Sequence, residues 1–214
     1  MVTKPYFRVL VFLFAVLIFS CETNSTPKLS KAQQKHIIQE IQKRRAEKDQ
    51  FFKTSPGSPL LPEDKANFTG LNYYPIDLSL RFVGPLKLLK EQPIDSLWDT
   101  GGEKRAAQKY GYFEFTYKGE KYRLLIYRFL DAGLSGDESL FLGFTDATSG
   151  TETYGGGRYI DVERNNKGNL IVDFNLAYNP FCAYNPAYIC ALPPAENHLP
   201  FPVRAGEKIF KAHK

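Results

Sequence analysis

Two stretches of alternating apolar residues meet at Lys118-Gly119-Glu120, which commits the chain to a fold built around antiparallel strands. Residues 111–117 and 121–129 are rich in aromatic side chains, and the short glycine-containing connection between them predicts a hairpin. In the second stretch Tyr122, Leu124 and Ile126 face one way and Leu125, Tyr127 and Phe129 the other, so both faces call for cover. Ile76, Leu78, Leu80 and Phe82 alternate with polar residues and predict a further strand. Others are expected at residues 140–145, 158–163 and 169–175, the last two joined by a turn at residues 166–168. Residues 98–110 hold the Gly101-Gly102 turn and are expected to include one helical turn. The expected architecture is mainly β, an antiparallel sheet curled into a barrel- or sandwich-like body, preceded by one amphipathic helix.

That helix is placed at residues 30–53. Ser30 with Gln33 makes a capping box, and Ile37, Ile38 and Ile41 recur at helical spacing, with Phe51 and Phe52 about three turns later. Glu40 and Arg44 stand at a favourable i,i+4 spacing, and Pro56, Gly57 and Pro59 end the helix. The formal net charge is +5. Its excess lies in the N-terminal segments, whereas residues 53–214 carry equal numbers of basic and acidic side chains. A neutral body does not provide a nucleic-acid footprint. The basic helix reads as a solvated face, or as one lying near anionic lipid headgroups.

The N-terminus supplies an address. Residues 9–19 form an uncharged, mostly apolar run behind Lys4 and Arg8, short of the roughly 20 residues that span a bilayer. With Ser20 and Cys21 following, Ile18-Phe19-Ser20-Cys21 resembles a bacterial lipoprotein signal. The expected organisation is a signal peptide at 1–20, a tether at 21–29, the helix at 30–53 and a β-rich domain at 54–214. Cys21 would carry lipid and hold an exported protein on the cell envelope. Cys182 and Cys190 then remain as an even pair, expected as a disulfide in an oxidising compartment. The competing readings are buried thiols, or a metal site completed by His198. No CxxC-type spacing is present, and neither a metal nor a cofactor is expected.

Two segments depart from strand logic. Residues 146–159 run from Asp146, Thr148 and Ser149 through Tyr154 and three glycines to Arg158. Such backbone can approach an anion, with Arg158 adding a fork of donors. The plainer reading is a glycine-rich bulge with Arg158 paired to a structural carboxylate. Residues 175–207 contain Asn175, Tyr178, Asn179, Tyr184, Glu196, Asn197 and Arg204, and six of the 14 prolines lie between Pro180 and Pro202. Proline excludes a central strand; the asparagines and tyrosines either satisfy irregular backbone or line a site.

If the two segments enclose one cavity, the protein is a binding module for a small polar or anionic ligand, with Arg158 and Arg204 supplying charge. A hydrolase-like enzyme would need Asp146 beside Glu196, or Cys182 beside His198. An envelope scaffold recruiting a partner protein would need neither.

Longer motifs carry a family resemblance. They include Pro59-Leu60-Leu61-Pro62-Glu63-Asp64-Lys65, Phe68-Thr69-Gly70-Leu71-Asn72-Tyr73-Tyr74, and Asp146-Ala147-Thr148-Ser149-Gly150 with Tyr154-Gly155-Gly156-Gly157-Arg158-Tyr159. Ala177-Tyr178-Asn179-Pro180, Leu192-Pro193-Pro194 and Val203-Arg204-Ala205-Gly206-Glu207 complete the pattern. Across about residues 40–210 the chain resembles the bacterial family called domain of unknown function 1684. That resemblance implies a single compact domain and carries over no catalytic role.

Overall fold

A computed structural model describes residues 29–130 and 140–211. The expected signal peptide, Cys21 and all but the last residue of the tether lie outside the described residues. Helix α1 spans Lys31–Thr54. The Ser30 hydroxyl accepts from the Gln33 N–H at 3.3 Å, and the Gln33 side chain accepts from the Ser30 N–H at 2.9 Å, so the capping box forms as the sequence predicts. Ser55 turns extended, and Pro56 and Gly57 end the helix. Ile41, Arg45, Lys48 and Phe52 fall on one stripe at helical spacing, yet only Ile41 and Phe52 are buried. The helix therefore docks by an apolar contact at each end of the stripe, with two cations between. Arg44 does not keep the expected Glu40 partner and instead pairs bidentately with Glu163. No helix among the described residues is long and apolar enough to cross a membrane.

After α2 (Pro62–Ala66) the chain becomes a set of strands, paired antiparallel except for β11, which runs parallel to β7. These are β1 (Arg81–Gly84), β2 (Lys87–Leu88), β3 (Ile94–Trp98), β4 (Lys104–Tyr117), β5 (Glu120–Phe129) and β6 (Leu140–Phe141). They continue with β7 (Gly143–Asp146), β8 (Arg158–Tyr159), β9 (Glu163–Arg164), β10 (Leu170–Asp173) and β11 (His198–Leu199). The long β4–β5 hairpin runs in register from Tyr117↔Glu120 to Ala107↔Phe129, with one bulge between Lys109 and Gly111. Lys118 and Gly119 both take positive φ (50° and 87°), the mirror-image turn that matches strand twist. One face of β5 packs Leu124 and Ile126 into a core with Phe82, Phe113, Phe115, Phe144, Val172 and Phe174. The other packs Tyr127, Leu125 and Phe129 with Leu97, Ala107, Phe141 and Ala191. Both faces are covered, as the alternation requires.

The sheets do not close into a barrel. β2-β4-β5-β6, with β3 also on β4, form one sheet; β1-β10-β9 and β11-β7-β8 form two smaller ones. The break lies at Leu142, between β6 paired to β5 and β7 paired to β8, so the expected single strand at 140–145 is two strands in different sheets. Local hydrogen bonding shortens other expected strands. The Asp77 carboxylate accepts from the Ser79 N–H at 2.9 Å and turns Leu78–Leu80 into a 3-10 helix, so β1 starts only at Arg81. Asp173 does the same at Phe174–Leu176. Residues 98–110 hold no helical turn: Asp99 accepts from the Gly101 and Glu103 N–H groups, closing a β3–β4 hairpin.

Candidate functional site

The glycine segment is built around a buried cation. Arg158, on β8, and Asp146, at the end of β7, form an ion pair at 2.9 Å with both side chains fully buried. The guanidinium also donates to the carbonyls of Val203 (2.8 Å), Ala205 (2.5 Å) and Glu207 (3.1 Å). Burial pulls the Arg158 pKa down, and the Asp146 charge opposes this. The other Asp146 oxygen accepts from the Thr148 N–H and hydroxyl and the Val203 N–H. The Ser149 hydroxyl accepts from the Asp146 N–H, and Thr148 is itself fully buried. Both terminal nitrogens of Arg158 and both Asp146 oxygens are bonded to protein, whereas Arg158 Nε is buried without a hydrogen-bond partner. Arg158 therefore fastens the segment 203–207 rather than facing a ligand, and Gly157 (φ 86°) lies where a Cβ would meet the Phe144 carbonyl at 2.7 Å.

The asparagines Asn175, Asn179 and Asn197 also act on backbone. Asn175 accepts from the Asp77 N–H and donates to the Asp77 carbonyl. Asn197 brackets Leu125 and reaches the Gly143 carbonyl. Asn179 donates its N–H to Glu207 and its side-chain amide to the Lys208 carbonyl. Arg204 is exposed and paired with Glu152, and Glu196 is exposed beside Lys109 at 3.5 Å.

The cleft that the structure describes draws on α1 and the second of the two segments, and on none of residues 146–159. It lies between α1 and the β body, has a volume of about 520 Å³, and takes only Asn175 and Tyr178 from the expected site residues. Phe51, Phe52, Ile160, Ile171, Leu176 and Phe181 supply its apolar walls. Its floor is Glu207, 1% exposed. One Glu207 oxygen accepts from the Asn179 N–H (2.9 Å) and the Tyr184 hydroxyl (2.5 Å); the other pairs with Lys48 Nζ at 2.6 Å. The same ammonium lies 4.5 Å from the Tyr178 ring centroid and 5.4 Å from that of Phe52. Arg45 donates to the carbonyls of Tyr74 (3.0 Å) and Asn175 (2.9 Å) and stacks on Tyr73. Burial lowers the Arg45 pKa and raises those of Tyr73 and Asp173. Arg45 Nε and Tyr73 Oη are buried without a hydrogen-bond partner.

The pairs considered for catalysis have other partners. Asp146 is spent on Arg158 while Glu196 reaches Lys109. His198 bonds the Thr145 hydroxyl at 3.1 Å, whereas Cys182 meets Tyr154 at 3.7 Å and Cys190. Cys182 and Cys190 are free thiols, so the expected disulfide is not formed, although the Cys182 N–H donates to Cys190 Sγ at 3.3 Å. That hydrogen-bonded neighbour lowers the Cys182 pKa to about 7 and raises that of Cys190. Among the described residues no three His, Cys, Asp or Glu side chains converge as a metal site.

Arg45, Lys48, Tyr73 and Glu207 were not among the residues expected from sequence. The available signal was the stripe Ile41-Arg45-Lys48-Phe52, in which cations occupy the middle of an otherwise core-facing row.

No curated protein matches the chain. A solution NMR structure of an uncharacterized protein from Haloarcula marismortui is similar at 30% identity and a TM-score of 0.65, covering 86% of this chain and all of that one. The family model described as "Protein of unknown function (DUF1684)" matches residues 66–208, a span that holds Arg158, Glu207 and every β-strand among the described residues, and on that match the chain belongs to this family.

Proposed function

We propose that this protein is an exported, lipid-anchored binding module whose cleft between α1 and the β body takes one small ligand with a polar group and an apolar part. The anchor is supported by the Lys4, Arg8 and Cys21 pattern of the N-terminus. Binding is supported by the cleft itself, whose volume of about 520 Å³ suits a small molecule. Its apolar walls and few convergent polar groups match the usual composition of such sites. Tyr73 Oη and Arg45 Nε, lining residues with unpartnered donors, would gain from an acceptor on the ligand.

Charge argues against an anion. Arg158 is buried on Asp146 and Arg204 is paired with Glu152. The cleft lining holds Glu47, Asp161, Glu163, Asp173 and Glu207 against Arg44, Arg45 and Lys48.

The test is a thermal-shift and calorimetric screen of small polar–apolar metabolites, repeated on Ile171→Trp. Ile171 lines the cleft from β10 and is half-buried, so a tryptophan there fills the space. Hits on the parent chain should disappear in the filled variant. A hit that survives filling would place binding elsewhere and overturn the reading.

A further inference from the structure

The most unusual feature of the cleft is that its own lysine occupies a site built for a cation. Lys48 reaches from α1 with its side chain 25% exposed, and its ammonium ends against two groups of the β body and one ring of its own helix. One is the Glu207 carboxylate at 2.6 Å, itself 1% exposed. The others are the rings of Tyr178 and Phe52, at 4.5 and 5.4 Å. The Tyr178 hydroxyl donates to Asp161 at 2.8 Å, which fixes that ring in place. Two aromatic rings and a carboxylate around one ammonium are the elements by which proteins recognise organic cations.

We propose that the cleft recognises a protonated amine, which displaces the Lys48 ammonium from Glu207, Tyr178 and Phe52. The proposal rests on reading this cleft as the ligand site and names the chemical class it takes. The exchange is one cation for another. Glu207 stays paired, so the heavy cost of a bare buried carboxylate is never incurred. A neutral alcohol of the same size would leave Glu207 without its cation. A carboxylate would add one more negative charge to a lining that already holds five. Lys48 can swing away, because its ammonium sits on a flexible stem that is 25% exposed.

The lysine also sets affinity. As a tethered competitor it acts at an effective concentration of the order of millimolar, so the intact protein binds a simple amine weakly. Removing it opens the cage.

The experiment uses the full-length chain, Lys48→Met, and Lys104→Met as a control. Lys104 lies over Trp98, and neither residue lines the cleft. Butylammonium, 1-butanol and butyrate, three probes of nearly equal size, are titrated by calorimetry and thermal shift. Lys48→Met should bind butylammonium about tenfold more tightly than either other probe, and more tightly than the parent and Lys104→Met do. If butanol or butyrate bind Lys48→Met as well as butylammonium, the amine class is overturned while the cleft stands as a binding site. If none of the three binds Lys48→Met but larger ligands still lose affinity in Ile171→Trp, the cage is again overturned and the cleft retained. Should Lys48→Met fail to fold, the parent's NMR spectrum decides. Saturable shifts of the Tyr178 and Phe52 ring protons with butylammonium alone support the proposal, and their absence overturns it.

Discussion

The Arg158 guanidinium donates to the backbone carbonyl of Glu207 at 3.1 Å, so a cation buried beneath the glycine segment holds the residue whose carboxylate floors the cleft. The contact is to main chain, and the two side chains face different partners: Arg158 its ion pair with Asp146, Glu207 its pair with Lys48. Gly206, at φ 77°, lies between the fastened carbonyls and the carboxylate, where a Cβ would meet the Ala177 carbonyl at 2.5 Å. The segment 203–207 is thus pinned on one side by Arg158 and turned by Gly206, which delivers Glu207 to α1.

Arg158→Ala should destabilise the fold by about 3–5 kcal/mol, because it strands Asp146 as an unpaired buried charge. Urea unfolding followed by circular dichroism measures this. Adding Asp146→Asn should recover part of the loss, since the stranded charge is gone. Equal costs for the single and double variants would show that the carbonyls of residues 203–207, and not the ion pair, dominate.

Docking of α1 rests on few apolar contacts and several polar ones. Beyond Ile41 and Phe52, it is held by Arg44 on Glu163, Arg45 on two carbonyls, Lys48 on Glu207, and Asp49 accepting from the Leu71 N–H at 3.0 Å. Arg45→Ala removes two charge-assisted bonds and should weaken local docking by about 2 kcal/mol. Hydrogen exchange should then quicken across α1 while the β4–β5 hairpin keeps its protection. Uniform loss of protection would mean that α1 and the β body open only together.

The parts of the fold legible in the sequence are those where one period persists. The β4–β5 hairpin carries alternation on both faces, and the Ser30–Gln33 box announces α1 within one residue. Legibility fails where a side chain captures its own backbone. Asp77 and Asp173 each bond an N–H two residues on and convert expected strand into 3-10 turn, an event that alternation does not register. The site was harder. The polar residues at 146–158 attracted a ligand reading, but their partners are visible only in three dimensions: the Arg158 terminal nitrogens, Asp146 and Thr148 are all bonded to protein. Asn175, Asn179 and Asn197 likewise serve irregular backbone, as proline-interrupted chain demands. Lys48 and Glu207 are 159 positions apart, and neither stands in a motif that marks it as a pair.

The thiol pair gives a pH-dependent prediction with a definite sign. In the reduced protein, hydrogen bonding to Cys190 lowers the Cys182 pKa from its ordinary 9.0 to about 7, and the same coupling holds the Cys190 proton well above the ordinary value. Between about 7 and 9.0 the unfolded chain binds more protons than the native one, so stability rises with pH across that interval. Above 9.0 the native Cys190 keeps a proton that the unfolded thiol has lost, and stability falls again. Urea titrations of the reduced protein should therefore show a maximum close to pH 9, whereas Cys182→Ser should lack the rise. A reduced protein whose stability is flat from pH 6 to 10, by about the same measure in parent and Cys182→Ser, would mean that the pair titrates as two ordinary thiols.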